Sequence, residues 1–241
     1  MPGKQRHRGS HPADADLFHP RRWPKLRAAV HDLSWLFTRG YSRTSALKLT
    51  GDRYQLTKRQ RMAVNRCACA DQALRVRRLH ETDLAAVRGA HLVVDGYNLL
   101  ITVESGIAGG VLLRGRDGCV RDLASLHGSY KRVEETGAAI DLLGARLNAL
   151  EPAHVQWYFD APVSNSGRLK TRIAARAAEA GWPWTVDVRS NPDKLIASSG
   201  AIAVTADSWI IDRAERWVNI TPWVLQDVRD HDSIIALDTD T

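Results

Sequence analysis

A short apolar run, Leu92-Val93-Val94, stands between His91 and Asp95 and is followed by Gly96-Tyr97-Asn98. Uninterrupted apolar residues of this length read as a strand buried on both faces. Asp95 would end that strand, with Gly96 letting the chain turn away. Upstream, the apolar positions recur at helical spacing. Leu26, Val30, Leu33, Leu36 and Phe37 share one face of a helix that starts at Pro24 and stops at Gly40. A second helix fits Arg43 to Thr50, with Ser42 as cap and Gly51 as stop. Thr57 and Gln60 form a capping box for a third, Lys58 to about Leu79. Residues 21–85 therefore read as a small all-helical module.

Downstream of Asn98, Leu100 to Val103 and Val111 to Leu113 read as two extended runs around a Gly-rich hairpin loop. A polar loop, Arg114 to Gly118, precedes a mainly helical stretch to Leu150. Strands and helices then alternate. The strands are Val155 to Phe159, Trp184 to Val188, Ala201 to Val204 and Trp217 to Ile220. The helices are Arg168 to Ala180, stopped by Gly181, a short one from Asn191-Pro192-Asp193 to Ser198, and Trp209 to Arg216. Ile234 to Leu237 reads as an edge strand or as no element. This alternation predicts an α/β domain over residues 90–241, with a parallel sheet and helices on both faces.

Charge changes the picture little at first. The 241 residues carry 34 Lys and Arg against 27 Asp and Glu, a net +7, which suits a polyanionic partner. Arg53, Lys58, Arg59, Arg61 and Arg66 cluster near the start of the third helix, a candidate phosphate site or a solvated basic face. The link from Gly51 to Thr57 is too long for a helix-turn-helix. Met1 to Pro20 is rich in His, Arg, Gly and Pro, lacks the apolar core of a signal peptide, and reads as a disordered basic tail. No apolar run is long enough to cross a membrane, and the expectation is a cytoplasmic protein. Cys67, Cys69 and Cys119 make no disulfide framework; zinc would need further ligands, and buried thiols are expected.

The chemistry lies in how the strands end. Leu-Val-Val leads to Asp95, Trp-Tyr-Phe to Asp160 and Ala-Val-Thr-Ala to Asp207. In a parallel sheet all three ends lie on one edge, where such folds bind ligands. Clustered carboxylates raise each other's pKa unless a cation neutralises them. Mg²⁺ or Mn²⁺ is the simplest partner for hard oxygen ligands, and one of its waters can become the nucleophile in phosphodiester hydrolysis. Asp193 and Asp212 are candidate further ligands. Asn98 is a neutral donor or substrate contact. Arg168, Arg172 and Arg176 form a stripe beginning just after the Asp160 loop, a candidate grip for nucleic acid, and Tyr97 and Trp209 could stack a base or serve as walls. No Gly-x-Gly-x-x-Gly follows the first strand, and neither a Walker A motif nor a Gly-x-Ser-x-Gly elbow is present.

Val93-Val94-Asp95-Gly96-Tyr97-Asn98-Leu99-Leu100 resembles the first strand of PIN and NYN-type nucleases. Ala203-Val204-Thr205-Ala206-Asp207-Ser208 resembles their late strand, and Pro192-Asp193-Lys194-Leu195 the acid and short helix before it. The resemblance covers about residues 91–220. It implies a Rossmann-like sheet, a divalent-metal site holding Asp95, Asp193 and Asp207 with Asn98 in support, and ribonuclease activity, with RNA favoured over DNA. Asp160 joins the expected catalytic and metal set from its strand-end position. The family's second helical acid has several candidates, Asp117, Asp122, Glu134, Glu135 and Asp141. Glu134 is favoured for lying on the helical segment. Ser208-Trp209 departs from the pattern, since a second acid or a base is frequent there. That departure keeps open a degenerate relative that binds RNA or a protein without cleavage. The helical module joined to this domain also resembles an uncharacterised prokaryotic family of unknown function.

Overall fold

In the computed structural model, which describes residues 7–124, 130, 133–230 and 233–238, β1 (His91–Asp95) is the central strand of a parallel sheet. It pairs with β4 (His154–Asp160) and β6 (Ile202–Val204), while β5 (Trp184–Arg189) and β7 (Trp217–Val218) form the edges, in the order β5-β4-β1-β6-β7. The register sets Asp95 beside Tyr158, two residues before Asp160, and Val94 beside Val204. Leu92 and Val94 join the core under one face, and Val93 joins that under the other. That two-sided burial explains why β1 lacks alternation. In β4 the alternation is complete, with Val155, Trp157 and Phe159 buried.

The helical segment begins earlier than expected. Residues 7–20, read as part of a disordered tail, are tied down. Here α1 (Asp14–Leu17) buries Asp14 against Arg59, whose Nη2 donates to Oδ2 at 2.7 Å. Arg8 also donates to the buried Glu104 at 2.9 Å. α2 (Trp23–Thr38) and α3 (Arg43–Arg53, capped by Ser42) follow the expected pattern, although α3 runs through Gly51. The expected third helix is two helices, α4 (Lys58–Cys67, with its capping box) and α5 (Asp71–His80). The break has a cause. The carbonyls of Cys67 and Cys69 accept from Arg116 N and Nη1 at 2.9 and 3.1 Å, which an uninterrupted helix would not allow.

The largest departure is α6 (Gly96–Ile107), which takes the place of the first expected run, Leu100 to Val103, and of the start of the hairpin loop, whereas the second run, Val111 to Leu113, is a strand as expected. Leu99 to Gly106 are buried all round. A helix buried on every side has no polar face, so it carries no period to separate it from buried strands. β2 (Leu112–Arg114) and β3 (Val120–Asp122) then form an antiparallel pair, with β8 (Ile235–Ala236) parallel to β2 in a second, three-stranded sheet. β3 thus replaces the start of the expected helical stretch, and α7 (Thr136–Ala149) begins later. α8 (Ser166–Ala180) ends at left-handed Gly181 as read. α9 (Pro192–Ala197), α10 (Ser208–Ile211) and α11 (Thr221–Leu225) complete the chain.

Among the described residues no helix is long and apolar enough to cross a membrane. All three cysteines are buried. Burial pushes the Cys67 thiol up to about 12 and the Cys69 thiol up to about 11, which makes both inert near neutrality.

Candidate functional site

Asp95 ends β1 and caps α6. Its Oδ1 accepts from the Asn98 backbone N–H at 3.3 Å, and its Oδ2 accepts from the Thr205 hydroxyl at 3.0 Å. Thr205 follows β6, so this bond joins two neighbouring strand ends. The same hydroxyl accepts from the Asp207 N–H at 3.0 Å. Asp207 caps α10, its Oδ1 accepting from Trp209 N at 2.8 Å and Ile210 N at 3.3 Å. Its Oδ2 has no hydrogen-bond partner among the described residues. Asn98 Oδ1 accepts from Ala206 N at 2.8 Å, and Arg121 Nε donates to Ala206 O at 2.9 Å. The loop that carries Asp207 is therefore fastened from both sides.

The electrostatics join more acids to this pair. Burial first, then the negative charges of Asp207 and Asp193, push Asp95 up to about 7, against the opposing hydrogen bond from Thr205. Asp193, in the first turn of α9, is likewise raised by burial, by Asp207 and by Asp160. Asp95 and Asp193 thus both feel the charge of Asp207, and Asp193 also feels that of Asp160.

Asp95 and Asp207 line a cavity of about 620 Å³ together with Tyr97, Asn98, Asp122 and Trp209. Its other wall comes from the helical segment, through Arg43, Asn65 and Arg66. The floor is acidic and that wall is basic. Tyr97 is a wall residue, packed edge-on against Phe159 at 4.9 Å, whereas Trp209 is exposed.

Other sequence candidates lie elsewhere. Glu134 sits in the turn before α7, exposed, and pairs with His7 Nε2 at 3.3 Å. The choice of Glu134 as the second helical acid assumed a helix that starts too early. The acid that reaches the cavity is Asp122, on β3, where Thr102 Oγ1 donates to its Oδ2 at 2.8 Å and Ala124 N donates to its Oδ1 at 2.7 Å. Asp212 is taken up by Arg77, whose Nε donates to it at 2.6 Å and whose Nη1 also bonds the buried Asp117. Burial alone would raise Asp117, but Arg121 and Arg77 hold it down at about 2. The arginine stripe faces α7 rather than the cavity. Arg176 pairs with Asp141 at 2.6 Å, and Arg168 and Arg172 line a separate hollow with Tyr130 and Thr136. Sequence reasoning also passed over Arg43, Asn65 and Thr205. Of these, only Thr205 carried a signal, as the residue between strand and acid in Val-Thr-Ala-Asp.

Residues 84–223, which run from just before β1 through most of α11, match a family described as a domain of unknown function, DUF5616. The chain belongs to this family. Residues 25–79, the helical segment, match a second family of unknown function, DUF434. An uncharacterised protein of Methanocaldococcus jannaschii is 29% identical over 188 residues, which cover 77% of this chain and 88% of that protein. No solved structure matches the chain. Neither family is described as a PIN or NYN nuclease, so that resemblance stays with the strand-end motifs.

Proposed function

We propose that the cavity at the carboxyl edge of the sheet is the site of a metal-dependent ribonuclease. One observation carries this reading. Acids delivered by separate strand ends, Asp95 and Asp207, share a cleft with a basic wall. A phosphodiester brings negative charge to the basic wall, and its hydrolysis needs an acidic centre to manage protons beside it.

The donor set there is hard oxygen, which suits Mg²⁺ or Mn²⁺. Among the described residues no three His, Cys, Asp or Glu side chains are grouped to hold an ion. The fit is therefore to a hydrated ion held by one or two carboxylates, as Mg²⁺ commonly is, and not to a closed cage. Asp95 and Asp207 would hold it, with Asp193 and Asp160 adding to the negative field. When bound, such an ion lowers the pKa of water and offsets charge on the phosphate. The chain's own residues do the positioning. Thr205 orients Asp95, while Asn98 and Arg121 hold the Asp207 loop.

A non-cleaving RNA-binding protein is the second reading, favoured by that missing three-residue cluster. Incubation of the purified protein with a mixed RNA pool separates the two. The nuclease reading expects cleavage with Mn²⁺, its loss in EDTA, and a drop of roughly 100-fold or more in Asp95→Asn protein that keeps its circular dichroism. Retention of intact RNA by the wild type would support the second reading. Equal cleavage by Asp95→Asn would reject the proposed site.

A further inference from the structure

The helical segment supplies one wall of the acidic cleft, so its role there is open to a physical reading. Most of its arginines are neutralised. Arg59 is bound by Asp14, Arg61 by Asp52 at 2.7 Å, and Arg53 by Asp32 at 3.4 Å. Arg43, at the first turn of α3, differs. It is exposed and lines the cleft, and it has no carboxylate partner among the described residues. Its guanidinium lies over the Phe37 ring, 5.1 Å from the centroid, and donates to Asn65 Oδ1 at 3.3 Å. Those contacts aim the cation without discharging it. Arg66, also on this wall, is paired with Asp122 Oδ1 at 3.5 Å and donates to the carbonyls of Asp122 and, at 3.0 Å, Ala124, so it is neutralised like the others. Trp209 also lines the cleft and is 38% exposed, with the Arg213 guanidinium 4.3 Å from its ring centroid.

We infer that the helical segment is a phosphate clamp for a single strand of nucleic acid, with Arg43 on a backbone phosphate and Trp209 stacking an unpaired base. The inference rests on the proposed reading of the cleft as a nucleic-acid site, but it concerns grip and not cleavage. A single strand is favoured because stacking on a side chain needs a base free of its duplex partner. The cavity, about 620 Å³, is of small-ligand size, suited to a nucleotide or two of a strand.

Fluorescence anisotropy of a labelled single-stranded oligouridylate, measured in EDTA with the full chain, tests the clamp. Arg43→Glu is expected to weaken binding roughly tenfold or more and to reduce the salt slope. Arg43→Ala should do so to a smaller degree, and Trp209→Ala roughly tenfold. Lys58→Glu makes the same charge change on the same segment but outside the cleft, and it should bind like wild type. A duplex of the same length should bind more weakly. Unchanged affinity in Arg43→Glu, or equal losses in Arg43→Glu and Lys58→Glu, would overturn the clamp, as would a wild type that does not bind. Because no cleavage occurs in EDTA, the two readings fail separately. Binding without Mn²⁺-dependent cleavage defeats the nuclease, and cleavage with unchanged affinity in Arg43→Glu defeats the clamp.

Discussion

Asp95 accepts a backbone N–H on one carboxylate oxygen and the Thr205 hydroxyl on the other, so its orientation is set before any ligand arrives. Its environment works against its charge. Burial, Asp207 and Asp193 lift it from the ordinary 3.8 to about 7. A carboxyl group raised in this way favours the folded state fully below its unfolded pKa and loses that advantage as pH rises through the folded value. Asp95→Asn removes the penalty, and asparagine can still cap α6. Thermal denaturation in EDTA should therefore show little difference between wild type and Asp95→Asn near pH 4. A gap in favour of Asp95→Asn should open between about pH 4 and pH 7, bounded above by about 4 kcal/mol at 1.36 kcal/mol per pH unit. A gap that does not change with pH would show that Asp95 is not strained by its neighbours. At this scale the sequence was informative about Asp95 and Asp207, because a buried run that ends in a charge is conspicuous. Asp122 could not be picked out from its competitors, because the strand that presents it has only three residues.

The element that positions the site is α6, and its start depends on Gly96. A Cβ there would lie 2.4 Å from Phe159 Cε1, on the buried face of β4. Gly96 is needed for this close approach, rather than for an unusual backbone angle. Gly96→Ala should push the first turn of α6 away from β4, at a cost of about 1–3 kcal/mol, read as a lowered midpoint in urea denaturation. No loss of stability would mean that Phe159 can move aside. Elements with one wet face, such as α2 and α8, were legible from periodicity. α6 was not, since Leu99 to Gly106 are enclosed on all sides. The break between α4 and α5 was equally hidden. It is made by Arg116, a partner more than 40 residues away.

Across the whole molecule, the helical segment and the α/β part share a core and a cleft. Leu26, Leu33 and Val64 are clustered with Leu113, Leu123, Ile235 and Leu237 of the second sheet and its flanks. Arg27 Nε donates to the Ala236 carbonyl at 2.9 Å. The sequence shows the change from helical to alternating pattern near residue 85, but a contact between residues 27 and 236 leaves no local trace. The same long-range closure brings Arg43 and Arg66 opposite Asp95 and Asp207. The proposed reaction needs those two acids to form one cation site at the sheet edge. Isothermal titration of Mn²⁺ into the RNA-free protein near pH 8, above the raised value of Asp95, tests it most directly. The expected result is a saturable binding event that is lost, or weakened at least tenfold, in both Asp95→Asn and Asp207→Asn. It should be unchanged in Asp212→Asn, whose carboxylate is occupied by Arg77. Binding that survives in Asp95→Asn and Asp207→Asn, or is absent from the wild type, would contradict it.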